Sequence, residues 1–130
     1  MKAYKGFDKN LKCRDFQYEI GKEYKEKKAT VCDCGFHSCL SPMDVLDYYP
    51  PADAHGNLNR FCEVEIPEEM DKSDDDSKVA TKSIKINAEI GLKGLVEAGV
   101  NFILEKVNWE NSRETNTGYR SAATNTGCQS

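Results

Sequence analysis

Eight residues, Cys32-Asp33-Cys34-Gly35-Phe36-His37-Ser38-Cys39, concentrate the reactive side chains of this chain. They hold three of its six cysteines and one of its two histidines. Thiolates and imidazole packed this closely are soft-to-borderline ligands, and their usual occupant is a tetrahedral zinc ion. The local pattern Cys-x-Cys-x-x-His-x-Cys is tighter than that of ordinary zinc knuckles, whose paired cysteines lie about two to four residues apart. In an extended strand Cys32 and Cys34 would point the same way, as would His37 and Cys39, and a turn at Gly35 would bring the two pairs face to face. The site could instead be completed from a distance by Cys13 or Cys62, with Cys34 a bystander. Two other readings stand beside zinc. Free cysteine is often just a small buried residue, and a Cys–His pair can act as nucleophile and base. His37 lies so close in sequence to its neighbouring cysteines that shared ligation suits it better than proton transfer. No obvious general base lies near, unless Glu63 or Glu65 reaches the cluster, so the site is expected to be a closed, structural one.

The elements that would position this cluster follow from periodicity. Lys2 to Phe7 reads as a first strand, and Asp8-Lys9-Asn10 as a turn. Phe16 to Ile20 alternates as a half-buried strand. Gly21 breaks it, Glu23-Tyr24 begins a short extended piece, and Lys25 to Lys28 is a charged loop. Ala29-Thr30-Val31 leads into the cysteine stretch as a strand. Ser41-Pro42-Met43-Asp44 is a helix start, with Ser41 as N-cap and Pro42 at the first position. The short helix 42–49 ends at Pro50-Pro51. Phe61 to Ile66 alternates, with Phe61, Glu63 and Glu65 on one face and Cys62, Val64 and Ile66 on the other. Val79 to Asn87 reads as one strand.

Residues 90–107 give the strongest helical pattern, with Leu92, Leu95, Val96, Gly99, Val100, Ile103 and Val107 forming a core stripe. Gly94 and Gly99 each cost roughly 1 kcal/mol there, so close packing is expected to offset them. After Trp109, Thr115-Asn116-Thr117-Gly118 recurs as Thr124-Asn125-Thr126-Gly127. Two such repeats are too few for a solenoid, which needs about three. The organisation expected is a zinc-stapled domain at 1–109 and a truncated nine-residue-repeat tail at 110–130, disordered or lying as a strand. The fold class is α+β: a small mixed or antiparallel sheet with one short and one longer helix.

Composition narrows the function. The 130 residues carry a net charge of −4, with 31% charged side chains, which argues against a general nucleic-acid binder and against direct sequence-specific nucleic-acid binding. Lys22, Lys25, Lys27 and Lys28 still form a local basic cluster. Glu68 to Asp76 is an acidic run, read as a solvated loop, without EF-hand spacing. No apolar run of about 18 residues exists, so no membrane association is expected. The N-terminus lacks an apolar signal core, which points to the cytoplasm. Reduced cytoplasmic cysteines favour metal over disulfide.

The segments Lys2-Ala3-Tyr4-Lys5-Gly6-Phe7, Cys13-Arg14-Asp15-Phe16-Gln17-Tyr18, Gly35-Phe36-His37-Ser38-Cys39 and Asp47-Tyr48-Tyr49 resemble a family of small proteins of Firmicutes and their phages. That family continues into Ser-Ala-Ala-Thr-Asn-Thr-Gly arrays, matched here by Ser121 to Gly127. The resemblance implies Cys13, Cys32, His37 and Cys39 as the zinc ligands, with Cys34 the rival to Cys13. The chain is also similar in type to small zinc-containing anti-CRISPR proteins of streptococcal phages. That similarity implies a non-enzymatic inhibitor that binds a type II CRISPR effector nuclease, the RNA-guided DNA nuclease of the Cas9 class. A fainter resemblance, from Tyr4-Lys5-Gly6 through Gly35-Phe36-His37-Ser38 to Glu63-Val64-Glu65, is to an ADP-ribosyltransferase core. It implies an active or degenerate transferase. A structural adaptor carrying a repeat array is the third reading.

Overall fold

The computed structural model describes the backbone of residues 1–117 and the side chains of residues 1–108. Residues 1–99 form one compact unit, and the described residues from Val100 onward belong to a second. The architecture is α+β: a seven-stranded antiparallel sheet, a two-stranded hairpin, a short 3-10 helix and one long α-helix.

In chain order the strands are β1 (Lys2–Phe7), β2 (Lys12–Cys13), β3 (Phe16–Gln17), β4 (Glu23–Lys25), β5 (Phe36–Cys39), β6 (Arg60–Glu65), β7 (Asp71–Lys72), β8 (Lys78–Thr81) and β9 (Ser83–Glu89). The 3-10 helix is Pro42–Asp47, and α1 is Gly91–Thr117. The sheet order is β4-β9-β6-β1-β5-β8-β7, with β2 and β3 pairing separately. β1 is therefore central. Its period-two pattern places Ala3 and Phe7 against one apolar cluster, with Leu11, Tyr18, Phe36, Cys62, Val64 and Ile86. Tyr4 faces a second cluster of Cys39, Val45, Phe61 and Leu95. The expected faces of β6 are found: Cys62, Val64 and Ile66 join the first cluster, and Phe61 the second.

Several expectations change. Residues 29–31 are not a strand: Thr30 and Cys34 bridge around a tight turn whose tip, Cys32, has φ of 65°. Of the strand expected at 16–20 only Phe16–Gln17 pairs. The expected strand at 79–87 is two, β8 and β9, broken at Lys82. The helix expected at 42–49 is a 3-10 turn with Pro42 near its start, and Ser41 makes no side-chain cap. The core stripe of α1 is overturned. Leu95 is fully buried, but Leu92, Val96, Val100, Ile103 and Val107 are 38–55% exposed. Within residues 1–99, Leu95 is the stripe's one side chain in the buried core. Close packing does explain Gly99, where a Cβ would lie 2.7 Å from the Met43 side chain. The helix continues to Thr117, so the first repeat begins inside it. The second repeat and Cys128 lie outside the described residues. No helix of the described residues is long and apolar enough to cross a membrane.

Candidate functional site: a cationic cavity where the sheet parts

β1 has two unlike neighbours. With β6 it forms an unbroken ladder from Lys2↔Glu65 to Phe7↔Arg60. With β5 it shares one register pair, Tyr4↔Cys39. β5 is instead laddered along its whole length to β8, from Phe36↔Thr81 to Cys39↔Lys78. Beyond the single pair, then, β1 and β5 diverge, and a cavity of about 260 Å³ lies beside Tyr4, Lys5 and Gly6 of β1 and His37, Ser38 and Cys39 of β5. The hairpin residues Cys13 and Arg14 also line it, as do Val45, Tyr48, Tyr49 and Lys78.

Parting two strands leaves backbone groups without ladder partners, which is costly when they are buried. One is satisfied by a side chain: Lys5 Nζ donates to the His37 carbonyl at 2.6 Å. Lys5 is only 4% exposed, and its ammonium also lies over the rings of Phe7 and Tyr18 at 5.7 and 5.5 Å. Burial lowers its pKa, partly offset by the Cys13 thiol beside it. Ser38 is 3% exposed, and its Oγ finds no hydrogen-bond partner among the described residues. A buried unsatisfied hydroxyl costs roughly 1–3 kcal/mol.

Arg14 arrives by a strained turn. Cys13↔Phe16 closes a two-residue hairpin whose central residues, Arg14 and Asp15, have φ of 52° and 65°. Such turns favour Asn-Gly because both residues need positive φ. Non-glycine residues held there cost on the order of 1 kcal/mol each. The Arg14 guanidinium makes no hydrogen bond or ion pair with the described residues. Lys78, 9% exposed, lies 4.3 Å over the Tyr48 ring. The Tyr48 hydroxyl donates to Asp76, so that carboxylate is occupied at the rim. The walls of the cavity carry no carboxylate.

These charges set the state of His37. Burial, then Lys5, Arg14 and Lys78 in turn, push its pKa down to about 4, so the imidazole is neutral near pH 7. Its Nε2 accepts the Cys32 N–H at 2.9 Å, and the ring also bonds the Gly35 backbone. His37 therefore pins the turn at residues 30–35. Gly35 is required in that turn: φ is 86°, and a Cβ would lie 2.7 Å from the Ala29 Cα. Cys39 is buried, and its thiol is pushed up to about 12, first by burial and then by Asp76 and Asp44.

Of the expected zinc ligands, Cys13, His37 and Cys39 line the cavity, whereas Cys32 is exposed at the turn and meets His37 only through its backbone N–H. Cys34 borders the lysine loop 25–28. Cys62 is buried in the first cluster, with its thiol also raised to about 12 by burial. Among the described residues no three His, Cys, Asp or Glu side chains converge as a metal-holding group. A Cys39 thiol pushed up by burial, an imidazole with its bonds already made and three facing cations do not, as arranged, fit a zinc ion. Glu63 and Glu65 lie outside the cavity, Glu63 3.6 Å from Lys2 and Glu65 2.5 Å from the Met1 amino group.

The cysteine motif lies on the strand that lines the cavity. Lys5 and Ser38 enter the sequence reading only within the segments that carry a resemblance, and Arg14 and Lys78 carry no site reading there. A signal existed for Lys5, which alternates with Ala3 and Phe7 on an inward face where a lysine is out of place. Arg14 and Lys78 had none, because only the tertiary fold brings them to β1.

Residues 1–98 match the family model described as Domain of unknown function (DUF7666), and the chain belongs to that family. No curated protein and no solved structure matches the chain.

Proposed function

We propose that this domain is a binding module for a small anionic molecule, held in the gap between β1 and β5 without chemical conversion. The observation that carries this reading is the convergence of Lys5, Arg14 and Lys78, together with the unpartnered Ser38 hydroxyl, on one cavity that no carboxylate lines. Charge-assisted bonds from ammonium and guanidinium groups are the strong ones for oxyanions. Neither Cys39 nor His37 is poised as a nucleophile or base: the Cys39 thiol is pushed up by burial, and the His37 ring is engaged in the turn. Calorimetric titration with a panel of inorganic and organic oxyanions tests the reading. At least one should bind, less tightly as salt rises. Lys5→Met, of similar length, should abolish that binding while the fold persists. No binding by any oxyanion at millimolar concentration would overturn it.

A second reading keeps the zinc-stapled inhibitor of a type II CRISPR effector nuclease. It is favoured by Cys13, His37 and Cys39 sharing a cavity, and by the acidic run at the sheet edge, where β7 is exposed. Carboxylates there would complement a basic nucleic-acid channel. It requires Cys32 to turn inward and His37 to release the Cys32 N–H. Metal analysis of protein purified without added metal, and nuclease cleavage at saturating protein, test it. A metal-free, stable protein that leaves cleavage unchanged removes it.

A further inference from the structure

Charge, donor type and wall chemistry narrow the ligand of this cavity, taking the anion-binding reading as given. We infer that the cavity takes a phosphate monoester with an apolar or aromatic body, its phosphate held by Lys5, Arg14 and Ser38 and its body lying against Tyr49 and Val45. Three cations face a cavity that holds no counter-charge. A single carboxylate would neutralise one of them, whereas a phosphate monoester carries about −1.5 to −2 near neutral pH.

The donors suit a tetrahedral group approached from several directions. The Lys5 ammonium has three N–H bonds; one goes to the His37 carbonyl and one to the Cys13 side chain, which leaves one for a ligand oxygen. The Arg14 fork is unused, and forks of this kind grip phosphate through two oxygens. Ser38 Oγ, buried and without a partner, offers a neutral donor. A hydroxyl left unsatisfied on a cavity wall is what a ligand oxygen would complete.

The space exceeds what a bare ion needs. At about 260 Å³ the cavity has the volume of roughly nine waters of liquid density. Part of its remaining wall is apolar: Val45 is buried, and the Tyr49 ring lies so close across Gly6 that a Cβ there would come within 2.9 Å of it. Sites that combine a few placed polar groups with an apolar wall suit a small organic molecule better than a free ion.

Titration calorimetry with inorganic phosphate, phenyl phosphate and benzoate separates the possibilities. Phenyl phosphate should bind at least about tenfold tighter than either of the others. Ser38→Ala should weaken phenyl phosphate about tenfold, the range expected when a bond to a charged acceptor is lost, and Arg14→Gln should weaken it more. Circular dichroism of both variants should match the parent. Equal affinity for inorganic phosphate and phenyl phosphate would overturn the organic body while leaving the anion site standing. Benzoate matching phenyl phosphate would overturn the phosphate. If none of the three binds while another oxyanion does, this inference fails alone; if no oxyanion binds at all, the anion-binding reading fails with it.

Discussion

The two flanks of β1 are built from the same strand and behave as opposites. Toward β6 every residue from Lys2 to Phe7 is paired, and the inward side chains of β6, such as Val64 and Phe61, are fully buried. Toward β5 one pair holds and the rest is cavity, bridged by a lysine and bordered by an unsatisfied serine. A closed flank satisfies its own backbone and side chains and has nothing to offer a ligand. The open flank keeps polar groups buried and incompletely paired, which costs stability unless something completes them. The comparison therefore predicts that substitutions on the two sides separate stability from binding.

The largest effect belongs to the closed flank. Phe61 is fully buried on β6, and Phe61→Ala should lower unfolding free energy by about 3–5 kcal/mol. Urea unfolding measures it. The molecules that remain folded should bind the ligand with unchanged affinity, because Phe61 does not line the cavity. A variant that loses affinity without losing stability would dissolve the distinction between the flanks.

Gly35→Ala comes next and should damage both properties together. The substitution forces a side chain into a left-handed conformation and against the Ala29 backbone. Strain and overpacking together give about 2 kcal/mol or more. The turn it disturbs carries His37 and leads directly into β5, so denaturant midpoint and ligand affinity should fall in parallel. Loss of stability with full binding would mean that the turn does not set the cavity's geometry.

Ser38→Ala should move the two properties in opposite directions. Removing a buried hydroxyl that has no partner should stabilise the free protein by about 1 kcal/mol. The same change should weaken the ligand. A thermal melt beside a titration decides it, and a destabilised variant would show that Ser38 serves the fold.

This division was only half visible in the amino-acid order. Period-two alternation located β1 and β6 because both strands obey it, and the inward set Cys62, Val64 and Ile66 could be read off directly. The gap could not be read, because a ladder that stops after one pair depends on where β8 draws β5, and nothing in Phe36–Cys39 encodes that. The geometry of the cysteine stretch was hidden for a related reason. Cys32 and His37 are close in sequence and in space, but the positive φ at Cys32 turns the backbone N–H, not the thiol, toward the ring. The stripe on α1 misled in the other direction: its spacing describes a helix face, and spacing alone does not say whether the body reaches that face.

The smallest predicted effect uses acid to test the closed flank alone. Arg60 on β6 donates to Glu89 on β9 through Nε at 2.8 Å and through a second guanidinium nitrogen at 2.6 Å. Arg60, through that bond first, holds the Glu89 carboxyl below its ordinary range. A depressed carboxylate stabilises the fold at all pH values above its unfolded pKa, and that contribution fades as pH falls through the lower folded value. Both side chains are about a third exposed, so solvent screening limits the pair to about 0.5–1 kcal/mol. Arg60→Met should therefore be slightly less stable than the parent at pH 7, and the difference should shrink toward zero as pH drops below the usual glutamate range. On the open flank the Arg14 guanidinium makes no ion pair with the described residues, so Arg14→Met should show no matching pH-dependent convergence. If it did, a carboxylate would be acting on Arg14 as a structural counter-ion, and the open flank would be less open than its geometry makes it.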